Sequence, residues 1–417
     1  MKYPSFILPS VHVVDPRSPF HAQAVDLLIT EGQVRAVGEP NTLNDAPLIE
    51  WARGHLISPG WIDSRARCGS PGHEERETFE SLASAALQGG FTHVALMPST
   101  HPPRDNRPSI EALPEFDSVV WIPIGALTQG LNGERLAELA DLREAGALAF
   151  SDDSNPIDRP HTLQLALEYA QGLEARVWSS PFERSLCPTG VAHEGASALR
   201  SGMAPIPSLA ESMRRVQRDL ALAEYAGGGL HLMGLSSAES VRLVREAKAR
   251  GVNVTADVCI ANLVGTDRDI EGYDTAYKVL PPLRRAEDQA ALWEGLRDGT
   301  IDVVVSDHNP MDHELKSCEW GSAHFGASTI DACFGWFNAH SSSPKDLVLW
   351  VEAAAHRPRD IFGLGSVTVN VGSPADFTVF TLDESAQPSA SLGVNRPVWT
   401  QRGTAVGVVL DTLAIGS

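Results

Sequence analysis

The sequence predicts an α/β fold: a (β/α)8 barrel over residues 55–365, with a small β-sandwich built from residues 1–54 and 366–417. Three observations lead there. Eight short apolar strands can be counted in the central stretch. Amphipathic helical stretches separate most of them, the pattern of βα repeats and a parallel sheet. The two ends of the chain change pattern and read as short strands and turns, which cannot fit inside the barrel.

At the N-terminus, "SVHVVDP" alternates and stops at Asp15-Pro16, and "AVDLLITEGQVRAVGE" reads as a hairpin turning at Glu31-Gly32. The barrel strands are "HLISPGWIDS", "FTHVALMP", "VVWIPIGAL", "ALAFSDD", "ARVWSSP", "GLHLMGLS", "VNVTADVC" and "IDVVVSDH". Helices such as "TFESLASAALQGG" and "SAESVRLVREAKARG" end in Gly, a helix-stop signal. At the C-terminal end, "SVTVNVGSPADFTVFTLD" and "GTAVGVVLDTL" supply the closing strands. A doubly wound open sheet is the rival, but "DSRARCGSPG" after the first strand is no G-x-G-x-x-G phosphate loop.

Composition narrows the function. The chain has 417 residues, 43% of them hydrophobic, so a packed core is expected. A net charge of −20 argues against nucleic-acid binding. The five cysteines, Cys68, Cys187, Cys259, Cys318 and Cys333, form no C-x-x-C pair and fit a reduced cytoplasm. The first residues, "MKYPSFILPSVHVVDP", make a poor signal peptide, and no apolar run is long enough to span a membrane.

Active sites of such barrels lie at the C-terminal ends of the strands. Those positions are Asp63, Arg65 and Arg67; Pro98 and Ser99; Asp152 and Asp153; Ser180; Gly234; Asp257 and Cys259; Asp307 and His308. Regular alternation along a strand would point Asp63, Arg65 and Arg67 the same way. A single Asp in such a place is most often a turn former, and a single Arg a structural ion pair. Several acids sharing one mouth need positive charge among them. A metal is the usual answer, and here the sequence offers two guanidinium groups.

The motifs resemble those of a dihydroorotase of the amidohydrolase superfamily, nearly end to end. "SPGWIDSRARCGSPGHEERETFESLASAALQGGFTHVALMPSTHPPRDN" resembles the family's P-G-x-x-D-x-H-x-H-x-R-x-P-G start and its M-P-N-T-x-P-x-x-D-N. "AFSDDSNPI", "HLMGLSSAESV", "AKARGVNVTADV", "KVLPPLRRAED", "LRDGTIDVVVSDHNP" and "SPADFTVF" follow in family order. The resemblance implies a TIM barrel of the amidohydrolase type with zinc, which lowers the pKa of bound water to about 7 and polarises the amide carbonyl. It also shows where this chain departs. The H-x-H pair is Arg65 and Arg67, the strand-five His is Ser180 and the strand-six His is Gly234, with His231 at a non-ligand position. Asp63, one of Asp152 and Asp153, and Asp307, the family's general acid/base, remain. The Arg that would grip the substrate carboxylate is Gly69, the Asn of M-P-N-T is Ser99, the Asn of K-x-N-P-P-L-R is Leu280, and Asn106 is kept.

The expectation is therefore a non-catalytic dihydroorotase-like protein without zinc, in which Arg65 and Arg67 pair with Asp153 and Asp307 in place of a metal. In this family such proteins serve as structural partners of aspartate carbamoyltransferase. A homo-oligomer in the cytoplasm, with no nucleic-acid or membrane partner, completes it. Two alternatives stand beside it. One is an active cyclic amidohydrolase with a non-standard metal site of Asp63, Asp307 and Cys259 or a histidine among His308, His313 and His324. The other is a metal-free protein that clamps a small anion between Arg65 and Arg67.

Overall fold

The computed structural model describes residues 5–383, 395–411 and 413–416; the parts of the terminal segments at 1–4, 384–394, 412 and 417 lie outside the described residues. The eight expected barrel strands are Trp61–Ala66, Phe91–Leu96, Val120–Ala126, Ala149–Ser151, Arg176–Ser179, Leu230–Leu232, Val254–Cys259 and Val303–Val305. Each pairs with the next in parallel. A parallel bridge between Ala66 and His308 brings the last strand back to the first, so the sheet closes. Such a sheet is buried on both faces, which is why its strands read as apolar runs. Ile62, Ile122, Ile124, Ala149 and Trp178 fill the interior, with Phe362 packed against them. Trp178 stacks on His231 at 4.0 Å and on Phe362 at 5.3 Å between ring centroids.

Helix stops fall where the glycines predict. Helix Phe79–Gly89 starts at a Thr78 capping box and ends at Gly90, whose φ of +82° suits glycine. Helix Ala238–Ala249 starts on Ser237, whose side chain accepts from the Ser240 N–H.

The terminal segments share one seven-stranded sheet, in the order Leu413–Gly416, Thr404–Leu410, Asp376–Thr381, Leu56–Pro59, Ser5–Val13, Ala24–Thr30 and Gln33–Gly38. The sheet curls. Its far edge returns to the chain at 372–375, where Val34 N–H donates to the Ser373 carbonyl at 2.9 Å. The curl encloses its own apolar core of Phe6, Leu8, Val25, Leu27, Ile57, Phe377, Val379 and Val409. The stretch read as the first barrel strand, "HLISPGWIDS", serves both bodies. Leu56–Pro59 belongs to the terminal sheet and Trp61–Ala66 to the barrel. Gly60 stands between the two, and a Cβ there would meet an Asp376 carboxylate oxygen at 2.0 Å, so no larger residue fits. Among the described residues, no helix is long and apolar enough to cross a membrane.

Candidate functional site

The strand ends meet in one mouth, and Arg67 lies at its centre. Its Nε and Nη2 donate to the two carboxylate oxygens of Asp153 at 2.7 and 2.5 Å. Its Nη1 donates to Asp307 Oδ1 at 2.8 Å. This fork of charge-assisted bonds ties the first strand end to the fourth and the eighth. Asp153 and Asp307 both lie just past a strand and take left-handed backbone, with φ of +53° and +51°. Asp tolerates that region better than most residues. Ser99 adds a hydroxyl donor to Asp153.

Arg65 departs from the expected pairing. Its Nη2 donates to Asp257 Oδ1 at 2.9 Å and lies 3.0 Å from Cys259 Sγ; Asp307 is 3.6 Å from its Nε. The residue is 4% exposed. Asp257 had stood only among the strand-end residues. Here it accepts from Arg65, from the Gly234 N–H at 2.7 Å, and from His231 Nε2 at 3.1 Å. Burial pushes the Asp153 and Asp257 carboxyls up, but Arg67 with Ser99 and Arg65 around the first, and Arg65 with His231 and the Gly234 N–H around the second, together hold both below the usual carboxylate range. Burial raises the Cys259 thiol well above its ordinary range, so it stays protonated beside Asp307.

Asp63 touches neither guanidinium group. It accepts from the Ser306 N–H at 3.0 Å, from the Ser306 hydroxyl, and from the Arg65 backbone N–H at 3.3 Å. The physical reason is two irregularities in the ladder, between Trp61 and Ile62 and between Asp63 and Ala66. These break the alternation that would have put all three side chains on one face. Burial raises the Asp63 carboxyl to about 6. Its ionised form is disfavoured in the folded chain, so its own contribution to stability falls as pH rises from 3.8 through about 6 and stays lowered above that. Asp63→Asn should remove this slope, worth on the order of 3 kcal/mol between pH 4 and 7. Urea unfolding at a series of pH values checks it; parallel pH profiles of the two proteins would refute it.

Asp152, next to Asp153, faces elsewhere. It accepts the Thr128 N–H at 2.8 Å and the Thr128 hydroxyl, fastening the loop after strand three. Asn106 lies outside the mouth and caps helix Arg107–Glu111, accepting from the Ser109 N–H at 3.2 Å. Asn106→Ala should cost about 1 kcal/mol in thermal or urea unfolding, and nothing in any ligand affinity at the mouth.

Ser180 and Gly234 line a small space beside Arg65 and Arg67, with Leu280 and Pro281; its volume is about 20 Å³, room for one water. A Cβ on Gly234 would stand 3.0 Å from Pro281 and 3.2 Å from Arg65 Nη2, at a φ of +63°. A Cβ on Gly69 would stand 2.0 Å from the His73 carbonyl oxygen. Outside this space a larger cavity of about 270 Å³ opens over Arg67, with Ser99, Asp153, Leu280 and Asp307 in its wall.

The residues present do not fit a divalent ion. Guanidinium groups stand between the carboxylates that would have to hold it. Among the described residues, no three His, Cys, Asp or Glu side chains are grouped as metal ligands are. The non-standard site of Asp63, Asp307 and a neighbour is not assembled either. Asp63 is held on Ser306, and Arg65 lies against Cys259. His308 turns away, with Nε2 on Glu77 at 2.8 Å and Nδ1 accepting from the Thr329 N–H at 3.1 Å. His313 bonds Ser317 on an exposed turn.

Comparison with known proteins places this arrangement. The Dihydro-orotase-like family profile matches residues 54–240. A dihydroorotase from Pelotomaculum thermopropionicum is 40% identical over 394 residues, covering 92% of each chain. The dihydroorotase of Bacillus subtilis is 36% identical, covering 89% of each. The chain belongs to the dihydroorotase family. An L-hydantoinase from Arthrobacter aurescens shares the fold, with a TM-score of 0.84 at 21% identity, covering 100% of this chain and 96% of its own. Arg65, Arg67, Ser180 and Gly234, which the sequence resemblance singled out, lie together in space around one small volume. The sequence did not single out Asp257 as the partner of Arg65. The signal was there: two buried arginines require matching acids, and Asp257 shares a strand face with Cys259.

Proposed function

We propose that this chain is a dihydroorotase-family protein of de novo pyrimidine biosynthesis that holds no zinc, does not hydrolyse cyclic amides on its own, and acts as a structural partner of aspartate carbamoyltransferase. The observation that carries the first part is Arg67, whose guanidinium bonds both Asp153 and Asp307. Opening a cyclic amide requires an activated water and a polarised carbonyl. Arg has no acceptor and stays protonated, so it cannot generate hydroxide. The family's acid/base, Asp307, already accepts from Arg67 Nη1. The partnership rests on the family resemblance alone: members without hydrolytic machinery can serve as structural partners of the carbamoyltransferase.

The test is a dihydroorotate/carbamoyl-aspartate assay on the purified chain, alone and mixed with aspartate carbamoyltransferase, with co-elution followed by size-exclusion chromatography. No turnover alone together with a stable co-eluting complex is expected. Turnover by the chain alone would overturn the non-catalytic reading, and separate elution would overturn the partnership.

A further inference from the structure

The cavity over Arg67 is small for a ligand pocket, which typically spans about 300–1,000 Å³, so its occupant would be small. Three guanidinium groups line it: Arg67 and Arg76 from the chain after strand one, and Arg184 from the turn Arg184–Leu186 after strand five. Their donors are not all used. Arg67 has five N–H groups, and three go to Asp153 and Asp307. Arg76 Nε is buried without a hydrogen-bond partner, and its ion pair to the exposed Glu75 is long, at 3.6 Å. Arg184 donates to a neutral acceptor, the Ser154 carbonyl, at 3.1 Å.

The acids in the same wall are already satisfied. Asp153 takes Arg67 and Ser99, and Asp307 takes Arg67. Glu77 takes His308 Nε2 and the Ser81 hydroxyl. What remains in excess around the cavity is guanidinium N–H. Leu280, Met311 and Phe325 form apolar wall, which strengthens charge–charge attraction there. Arg65, half of the clamp expected from the sequence, is sealed beneath and takes no part.

We propose that this cavity binds a small oxyanion, carboxylate or phosphate, through Arg67, Arg76 and Arg184. The inference does not depend on the carbamoyltransferase partnership. Isothermal titration of the full chain with malonate and with inorganic phosphate, at constant ionic strength, tests it. Saturable binding of at least one anion is expected, weakened about tenfold or more by Arg76→Ala or Arg184→Ala and partly kept by Arg184→Lys. Arg285→Ala, an exposed arginine outside the cavity wall, should bind as the parent does. The preferred anion identifies whether the ligand carries carboxylates or phosphate. No saturable binding of either anion, or equal binding by the parent and both alanine variants, would overturn the proposal. Loss of carbamoyltransferase binding with anion binding intact would refute the partnership alone.

Discussion

Replacing Arg67 with methionine should destabilise the fold by about 3–5 kcal/mol, the usual consequence of removing one partner from a buried ion pair. Asp153 is 1% exposed and would be left with Arg65 as the remaining nearby cation. Asp307 would lose its 2.8 Å donor, leaving the longer approaches of Arg65 at 3.6 Å and of the Cys259 thiol at 3.7 Å. Methionine preserves the packing of the stem, so the loss reports the charge. Adding Asp153→Asn should recover much of it, because the pair is then removed from both sides and the stranded charge is gone. Urea unfolding of the parent, both single variants and the double variant gives the coupling. A loss below about 1 kcal/mol for Arg67→Met, the range of surface pairs, would show that the guanidinium does not hold the strand ends together.

The second large effect is one of failure to recover. Arg65→His with Arg67→His restores the two residues of the family's H-x-H, yet should give no measurable turnover of dihydroorotate. Ser180 and Gly234 still lack imidazoles, and the chain has closed around their absence. Gly234 sits at a φ of +63° against Pro281, so a histidine there is strained as well as crowded. Gly69 cannot regain an arginine without moving the His73 carbonyl, which stands 2.0 Å from where its Cβ would be. The double variant should also be less stable than the parent, since Asp153, Asp257 and Asp307 lose their shared cations. Measurable turnover would mean that the remaining acids suffice, and that the departures are adjustments to a working enzyme.

Much of the fold could be read from the sequence because it is written in backbone-level signals. Apolar runs mark the parallel strands, glycines end the helices, and Glu31-Gly32 turns the first hairpin, with φ of +50° and +71°. That the two chain ends form a β unit of their own followed from their change of pattern; the expected sandwich is a single curled sheet of seven strands. The site was harder, because side-chain direction depends on ladder details that residue type does not announce. No Gly or Pro within Trp61–Ala66 marks the irregularities that turn Asp63 toward Ser306. Neighbouring Asp152 and Asp153 look alike in sequence, yet one fastens a loop and the other holds Arg67. Asn106 fits both a substrate contact and a helix cap, and its N-cap geometry decides for the cap. Arg76 and Arg184 are more than a hundred residues apart in the sequence, and only the barrel brings their loops over one cavity.

The most direct measurement is the zinc content of the full chain. The protein would be purified with zinc in the buffers, dialysed, and analysed by inductively coupled plasma mass spectrometry beside a zinc-binding dihydroorotase. Guanidinium groups at the ligand positions predict zinc no higher than in a control protein without a metal site. A full equivalent of zinc per chain, lost on Asp153→Asn or Asp307→Asn, would contradict the arginine-filled site.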